Sequence, residues 1–315
     1  MSPPSTLEAA RHAPCHAIGV DVGGTKIAAG LVSFPKGEVY SRRQIPSAPA
    51  RGGDAVFADV LRLCEELAIA AQAQKQSVCA IGVGVCELVD LDGNLVSENC
   101  IAWKGVPIRE RLSKLAPTII EADVRAAALA EAMLGAGKPF KQFLYVTVGT
   151  GISCCLMLDG KPFTGARGAT GTMASSPISI ACDQCGHLNL HTLEEIASGP
   201  ALVARYNQLR HAGAETGQAV LAAAFAGDTD AVRVVCSGGE ALGSTVGLLV
   251  NVLDPEAIVA GGGLGLSDGL FWESFVASTR RHIWSDVHRN LPIVRAATGA
   301  DAGLLGAAAA AWKKC

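Results

Sequence analysis

The chain has 315 residues, half of them hydrophobic, which is enough for two domains or one large domain with a sizeable core. Its 26 Lys and Arg against 29 Asp and Glu leave a formal net charge of −3. No segment clusters the basic residues that binding to a phosphate backbone requires. We therefore do not expect nucleic acid to be a partner.

The sequence also predicts no membrane partner. The first fifteen residues lack the basic start and the apolar run of a signal peptide, and nowhere do about 18 uncharged apolar residues follow one another. Most of the 11 cysteines lie in apolar runs, where a reduced thiol behaves as a small hydrophobe. A cytoplasmic protein is expected.

The first elements along the chain predict a meander followed by a helix. Residues 16–45 alternate as three antiparallel strands with a glycine turn between the first two. Residues 54–71 have apolar residues at helical spacing, with Asp54 as the N-cap. The buried strand CAIGVGV follows, and then a short strand over 118–121 leads into a helix over 123–134.

A second strand, glycine turn and strand begin at Gln142 with FLYVTV, GTG and ISCCLML. Later elements are helices over 193–226, 228–253 and 270–283, a buried strand in PEAIVAGGG and a C-terminal helix in DAGLLGAAAAAW. The alternation of strands with helices predicts an α/β fold with mixed β-sheets. The repeated strand unit predicts two similar domains facing a cleft.

Glycine clusters after apolar strands indicate phosphate binding. In DVGGTK, Gly23 and Gly24 allow backbone amides and Thr25 to approach a phosphate closely, although the spacing of a Walker loop is absent and an ordinary glycine hairpin is the alternative. The turn Gly149–Gly151 is a second such feature, and two turns can grip a polyphosphate. A third cluster, Gly261–Gly263, closes a buried strand where ligands approach α/β sheets, or is a helix-entry turn.

Asp123 stands at a strand-to-helix junction in IIEADVRAAALAE. Taken alone it is an N-cap, since Asp is among the best residues for that position. Its place in a longer set of motifs changes that interpretation.

The chain resembles the ROK family (repressors, open reading frames and kinases) of the hexokinase, Hsp70 and actin superfamily. The resemblance is carried in order by DVGGTK, EADVRAAALAE, VGTGI, LEEIASGPAL, LDPEAIVAGGG and DAGLLGAA. It implies two actin-like, ribonuclease H-like domains, 15–122 with 299–315 and 123–298. Repressors of the family carry a DNA-binding winged helix before the first glycine motif; only about twenty residues precede it here, so a kinase is favoured.

The resemblance implies that Asp123 is the base that activates the acceptor hydroxyl. It assigns ATP to Asp21, Gly23, Gly24, Thr25, Lys26, Gly149, Thr150 and Gly151 at the phosphates and to Gly261, Gly262 and Gly263 near the adenosine. Mg²⁺ is expected through ATP, and a homodimer or homotetramer is the common assembly of such proteins.

The acceptor pocket departs from the family. Ala122 replaces an Asn, Thr172 and Ser175 replace a Glu and a His that touch the sugar, and Cys86 and Glu87 replace a turn of Pro-Gly or Gly-Gly type. Glu194 and Asn99 match acceptor-side positions, with a helix-start carboxylate and a turn residue as the alternatives.

Our hypothesis is that Glu87 supplies the carboxylate lost at Thr172. The predicted acceptor-binding residues are therefore Glu87, Asn99, Asp123, Thr172 and Glu194. Because a buried hydroxyl-binding site rejects molecules that leave its polar groups unpaired, a modified hexose, an amino sugar or a cyclitol is expected in place of glucose.

The zinc motif of the family is also broken, since its ligand positions read Ser175, Cys185, His187 and Thr192. Two thiolates and two imidazoles lie within ten residues in CDQCGHLNLH, at Cys182, Cys185, His187 and His191. They predict either a rebuilt structural Zn²⁺ site or reduced cysteines in a mobile loop.

The sequence thus predicts ATP-dependent phosphorylation of a sugar or polyol hydroxyl. The alternative is an inactive sugar or nucleotide sensor of the same fold. A protein-interaction subunit is a third class, which no specific feature supports.

Overall fold

The computed structural model describes residues 15–182, 185–210 and 213–315. Residues 1–14, which carry most of the segment searched for a signal peptide, lie outside the described residues. The chain forms two compact units. The first runs to Ala130 and includes Thr164–Ala169 and Ala300–Cys315, and the second contains Glu131–Phe163 and Thr170–Gly299. The domain limits given above stay a prediction.

The first unit is built on a five-stranded mixed sheet. Its strands are β1 (Cys15–Val22), β2 (Lys26–Phe34), β3 (Glu38–Pro46), β4 (Val78–Val85) and β5 (Thr118–Ala122), in the spatial order β3-β2-β1-β4-β5. The predicted meander is the antiparallel part, and β4 and β5 join it in parallel. Its helices are α1 (Gly53–Ala73), α2 (Ile108–Leu112), α3 (Asp123–Leu134, which continues into the second unit) and α11 (Ala302–Trp312).

Helix α1 covers one face of this sheet with an apolar stripe that includes Val56, Val60 and Leu67, as its sequence spacing predicts. The predicted N-cap at Asp54 is wrong. Gly52 is the capping residue, two residues before the predicted cap, and Asp54 lies inside the first turn. The Gly53 amide donates to the Ala102 carbonyl (3.1 Å), which fixes the start of the helix there.

Helix α11 packs directly on the backbone of the sheet. A Cβ atom placed on Gly19 would lie 2.2 Å from the Leu304 carbonyl oxygen, and one on Gly82 would lie 1.8 Å from that of Ala307. On the helix itself, a Cβ on Gly306 would lie 1.7 Å from the Ala126 carbonyl oxygen. Glycine at these positions permits an approach that any other residue would prevent.

The second unit repeats the five-stranded plan. Its strands are β6 (Gln142–Val148), β7 (Ile152–Leu158), β8 (Lys161–Pro162), β11 (Ala257–Gly261) and β12 (Ile293–Arg295), in the order β12-β11-β6-β7-β8. The strands β6, β7 and β8 are antiparallel, and β11 and β12 are parallel to β6. The predicted repeat of a strand, a glycine turn and a strand is confirmed.

Helices cover this second sheet. They are α4 (Glu194–Ala197), α5 (Gly199–Arg210), α6 (Gly217–Phe225), α7 (Thr229–Leu253), α8 (Gly262–Gly265), α9 (Leu270–His282) and α10 (Asp286–Arg289). A separate hairpin, β9 (Pro177–Ala181) with β10 (Leu188–Thr192), occupies the segment of the cysteine and histidine cluster. The sequence patterns predicted the long helices but not this hairpin.

Helix α7 is long and apolar enough to cross a membrane by length and composition alone, but 56% of its most apolar window is buried inside the fold. It packs against α9 through glycines spaced four residues apart. Cβ atoms on Gly239 and Gly243 would lie 2.5 and 2.6 Å from the carbonyl oxygens of Phe271 and Phe275. The apolar residues of α7 therefore pack in the core of the second unit.

Candidate active site

The carboxyl ends of three neighbouring strands meet at one edge of the first sheet. Val22 lies opposite Val85, and Val85 lies opposite Ala122, so β1, β4 and β5 end level with one another. This brings Asp21 and Asp123 together with the segment that follows β4. Parallel strands put their carboxyl ends at the same edge, where α/β sheets bind ligands.

Asp123 is the first residue of α3 and has an unusual charge environment. The Val124 amide donates to its Oδ1 at 2.6 Å, which is a bond from the next residue and not the bond from the second or third helical amide that an N-cap accepts. Burial raises the pKa of its carboxyl group from 3.8 to about 7, and the nearby charges of Asp21 and Glu87 add to this rise against the effect of the Val124 amide. A carboxyl group with a pKa near neutrality can accept and release a proton.

Asp21 is a second carboxyl group at this edge and, like Asp123, it is half-buried. Burial raises its pKa from 3.8 to about 6, although the Lys26 ammonium lowers it, and Asp301 raises it further. The amino end of α11 lies against it, since a Cβ atom on Gly303 would be 2.5 Å from the Asp21 carboxyl carbon. Burial, more than the neighbouring charges, therefore raises the pKa of both carboxyl groups at this edge.

The glycine turn of the first unit joins β1 to β2. Its Gly23 amide donates to the Lys26 carbonyl at 2.9 Å, and Thr25 is exposed at the tip. A Cβ atom on Gly24 would lie 2.7 Å from the Cys100 Sγ. The loop after β4 thus rests on the turn, and the residues predicted to bind phosphate and the acceptor are neighbours in this unit.

Glu87 does not have the position predicted for a substrate ligand. Its Oε2 accepts hydrogen bonds from the Ser97 hydroxyl (2.5 Å) and the Asn99 amide (2.8 Å), and its Oε1 accepts from the amides of Cys100 (2.7 Å) and Ile101 (3.0 Å). The side chain is only 5% exposed. Because the loop uses both oxygens, Glu87 fixes the position of Asn99 and leaves no oxygen free for a sugar hydroxyl.

Cys86, Cys100 and Ala122 also line this edge, where the family carries other residues. Burial raises the pKa of the Cys86 thiol well above its usual range, and the nearby Cys100 and Asp123 raise it further. The thiol therefore stays protonated. Ala122 is 6% exposed and belongs to the apolar core of the unit.

Arg125 is a site residue that the sequence patterns did not single out. It is buried, and its guanidinium donates to Glu121 (2.6 Å), to the Gly168 carbonyl (2.7 Å) and to the Val89 carbonyl (2.8 Å). It holds the segment Thr164–Ala169 beside the loop after β4. Only its spacing of four residues from Glu121 could have suggested part of this role, the ion pair between the two side chains.

In the second unit, two glycine clusters meet at the ends of β6 and β11. The Gly149 amide donates to the Gly151 carbonyl at 2.9 Å, with Thr150 between them, and a Cβ atom on Gly149 would lie 3.7 Å from the Gly263 nitrogen. Gly262 has a φ of 79°, and a Cβ atom on it would lie 2.4 Å from the Val148 carbonyl oxygen. The structure thus brings Gly149–Gly151 and Gly261–Gly263 together.

Glu194 lies at the same turn. Its Oε2 accepts a hydrogen bond from the Ile152 amide at 2.8 Å, and a Cβ atom on Gly151 would lie 2.9 Å from that oxygen. Thr172 comes earlier in the chain than Glu194. It is exposed at the start of the single helical turn Met173–Ser175, and the Ser175 hydroxyl donates to the Thr172 carbonyl (3.3 Å). Glu194 therefore supports the glycine turn with one of its two oxygens.

The predicted zinc ligands do not converge. Cys182 and His187 face each other across the hairpin turn, where the Cys182 amide donates to the His187 carbonyl (2.7 Å), and Cys185 is exposed between them. His191 lies opposite Ile178, four residues farther along β10 and about 13 Å from His187 at strand spacing. Among the described residues, no three His, Cys, Asp or Glu are arranged to hold a metal. The four-ligand prediction does not fit this hairpin.

The fold, two mixed sheets of the same plan with a glycine turn in each, is that of a phosphotransferase that uses an alcohol group as acceptor, and it has a half-buried aspartate at a strand end. The sequence pattern of the ROK family matches residues 17–314, and the chain belongs to that family.

Similar proteins are sugar kinases. The chain is 27% identical to a glucokinase of Halalkalibacterium halodurans over 307 residues, covering 92% of each protein. It is 28% identical to an N-acetylmannosamine kinase of Shigella boydii over 299 residues, covering 92% of this chain and 96% of that one. The crystal structure of a ROK family glucokinase from Streptomyces griseus, in complex with glucose and AMPPNP, has a TM-score of 0.79 and 26% identity, covering 95% of this chain and 99% of that one.

Proposed function

We propose that this protein transfers the γ-phosphoryl group of ATP to a hydroxyl group of a sugar or sugar-like polyol, with Asp123 as the general base. The carboxyl group of Asp123 carries the proposal. It lies at the strand edge, and its pKa of about 7 suits a group that must take a proton from a hydroxyl near neutral pH.

The nucleotide is assigned to backbone groups rather than to charged side chains. In the first unit, Gly23, Gly24 and Thr25 offer a phosphate the tip of a tight turn, with Lys26 next to it. In the second unit, the turn Gly149–Gly151 and the glycines Gly261–Gly263 lie side by side. The AMPPNP bound by the Streptomyces griseus relative supports this assignment.

Mg²⁺ would be held by Asp21 together with the phosphates of ATP. This fits the residue, because a half-buried carboxyl group with a pKa raised to about 6 gains a compensating charge when a cation binds. Mg²⁺ usually binds through one or two carboxylates and keeps several waters, so a larger cluster of acidic residues is not needed. When bound, the ion would supply positive charge to the phosphoryl oxygens.

The acceptor is a hydroxylated ring other than plain glucose, because the side chains at the acceptor positions of this chain differ from those of the family. Ala122 offers no hydrogen bond, Thr172 offers a hydroxyl group where the family has a carboxylate, and Glu87 is occupied by its own loop. Asn99, held by Glu87, and the second oxygen of Glu194 remain as acceptor ligands in the proposal. A modified hexose, an N-acylated amino sugar or a cyclitol is the proposed class, and the N-acetylmannosamine kinase among the relatives supports it.

The test is an ADP-release assay across hexoses, amino sugars and cyclitols with ATP and Mg²⁺. Turnover with at least one acceptor is expected, and Asp123→Asn should lower kcat by about 10²- to 10⁴-fold, because a general base contributes that much. Asp92→Asn, which neutralises an exposed carboxylate in the same unit, is the matched control.

Acceptor binding without any ADP release in the wild-type protein would instead identify a sensor. A sensor is therefore the second candidate function, because Ala122, Thr172 and Ser175 replace residues at the acceptor positions of the family. Turnover that survives Asp123→Asn would remove the assigned base while leaving the kinase activity in place.

We further propose a cytoplasmic enzyme that forms a homodimer or homotetramer. The sugar kinases among the relatives support the first part. Light scattering on the purified protein would measure the second, and a monomer at micromolar concentration would contradict it.

A further inference from the structure

A cluster of cysteine side chains lies at the end of the first sheet that is opposite to Asp21 and Asp123. Cys15 is the first residue of β1, and Cys79 is the second residue of the neighbouring parallel strand β4. Asp21 lies six residues farther along β1 than Cys15, about 20 Å away at strand spacing. The cluster is therefore separate from the residues assigned to phosphoryl transfer in this unit.

The carboxyl end of helix α11 brings a third cysteine, Cys315, to the same end of the sheet. Phe34 lies opposite Cys15 in the ladder of β1 and β2. The Trp312 ring stacks on the Phe34 ring, with the ring centroids 4.7 Å apart and an angle of 8° between the planes. The Cys315 amide donates to the Trp312 carbonyl (3.1 Å) and its thiol donates to the Ala311 carbonyl (3.7 Å). The end of the helix therefore fixes the position of Cys315.

The Cys79 thiol is the centre of the cluster. Burial raises its pKa well above its usual range, and hydrogen bonds with the thiols of Cys15 and Cys315 raise it further. Cys15 and Cys79 are half-buried, whereas Cys315 is exposed. Because oxidants react with accessible thiolates, Cys315 is the residue that an oxidant in solution meets first, and Cys79 is placed to react with the product.

We infer that this cluster is an oxidation site, at which hydrogen peroxide converts the thiols of Cys79 and Cys315 into a disulfide. The Cys315 thiolate attacks one peroxide oxygen, and the O–O bond breaks. The sulfur becomes a sulfenic acid, and the other oxygen leaves as hydroxide, which takes up the proton that Cys315 released. The Cys79 sulfur then attacks the sulfenic sulfur, so that an S–S bond forms, the S–O bond breaks, and the Cys79 proton leaves with that oxygen as water. A dithiol reverses the reaction by thiol–disulfide exchange and is itself oxidised.

The disulfide would tie the end of α11 to the sheet by a covalent bond. Without it, the helix is held by packing on positions such as Gly19 and Gly82. A bond between Cys79 and Cys315 closes a loop that contains the whole second unit. Disulfides that close long loops stabilise a folded protein by constraining its unfolded chain. In a cytoplasmic protein such a bond forms transiently, in response to an oxidant, and it does not depend on whether Asp123 is the base.

Peptide mapping by mass spectrometry tests the inference on the full chain, before and after treatment with hydrogen peroxide. After treatment, the peptides that carry Cys79 and Cys315 should be joined, with a mass lower than their sum by two hydrogen atoms, and dithiothreitol should separate them. Cys315→Ser changes an exposed residue and should abolish this product. Cys236→Ser, which changes a half-buried cysteine of α7, is the matched control and should leave the product unchanged.

The melting temperature gives a second readout. Peroxide should raise it by several degrees in the wild type and in Cys236→Ser but not in Cys315→Ser, and dithiothreitol should cancel the rise. The inference is overturned if no joined peptide contains both Cys79 and Cys315, or if Cys79 pairs with Cys15 instead. An equal rise in Cys315→Ser and the wild type would also overturn it, because the effect would then belong to other cysteines.

Discussion

The two units share a sheet plan but carry different chemistry at corresponding positions. In β1 the residue two places before the glycine turn is Asp21, and in β6 it is Thr147. The first unit adds Asp123 at the end of β5, whereas β11 in the second unit ends in glycines. Binding a phosphate needs only exposed amides and close backbone approach, while taking a proton needs a buried carboxylate, so a repeated fold can divide the two tasks.

The largest effect should come from one glycine in each unit, Gly262 directly after β11 and Gly24 in the turn after β1. Gly262→Ala should lower the free energy of unfolding by more than about 3 kcal/mol, since the new Cβ meets the Val148 backbone and φ is 79°. Gly24→Ala meets only the Cys100 Sγ and should cost less. Urea denaturation measures both.

The added substitution Cys100→Ala should rescue Gly24→Ala, and no single side-chain truncation should rescue Gly262→Ala. Equal losses at the two glycines, or a failure of that rescue, would show that Gly24 and Gly262 are constrained in the same way.

The pH dependence of kcat/KM should follow the protonation of Asp123, which lies in the first unit. A base must be unprotonated, so with a pKa of about 7 for Asp123, kcat/KM should fall tenfold for each pH unit below 7, to about a hundredth of its plateau at pH 5. Steady-state assays from pH 5 to pH 9 measure this.

Asp21→Asn should move the midpoint of this profile to lower pH, because the charge of Asp21 is one of the causes that raise the pKa of Asp123. A profile that stays flat down to pH 5 would contradict the assigned base.

Glu87→Gln should lower kcat/KM for the acceptor by about tenfold to a hundredfold and leave KM for ATP unchanged. An amide oxygen replaces only one of two acceptor atoms, so the loop 97–101 loses hydrogen bonds and Asn99 is displaced. Glu98→Gln is the control, since that exposed carboxylate accepts one hydrogen bond, from the Lys104 amide (2.7 Å).

The order of kcat/KM values across a panel of acceptors distinguishes two roles of Glu87, positioning the loop and contacting the acceptor. If it positions the loop, all acceptors should lose a similar factor and keep their order. A change of order would mean that Glu87 touches the acceptor itself.

The smallest effect should be a gain in stability from Asp123→Asn. The folded-state pKa of about 7 lies above the ordinary value of 3.8, so the folded protein binds its proton more tightly and the free energy of unfolding falls as pH rises from about 4 to 7. Removing the charge should raise it by about 1 to 2 kcal/mol at pH 8 and by less at pH 5. Urea titrations at the two pH values measure the difference, and a loss of stability at pH 8 would contradict it.

The repeated plan was predictable because its causes are local. Strand-length apolar runs that end in GGT or GTG require a tight turn in any context, and the same holds for the run before Gly261. Asp123 was predictable only from the longer set of motifs, since an Asp before an alanine-rich helix is equally an N-cap. The fold class and the family are confirmed, and the roles of the site residues stay predictions.

The errors concern contacts between residues far apart in sequence or the shape of a loop. Glu87 was interpreted as a ligand because its partners, the amides of residues 99–101, have no signal in the sequence. The zinc prediction counted ligand types but not the pairing of β9 with β10, which sends His191 away from Cys182. Arg125 was missed because its partners Val89 and Gly168 are backbone carbonyls.

The packing of α11 on the first sheet has a consequence for how the protein is made. The strands that it covers precede the whole second unit in the chain, whereas Ala302–Trp312 follows it, so the strands leave the ribosome long before the helix. Gly19 and Gly82 offer this helix bare backbone, which stays open to water until the helix arrives. During synthesis the second unit can complete its sheet first, and the unit that holds Asp123 has to wait until Ala302–Trp312 has been translated.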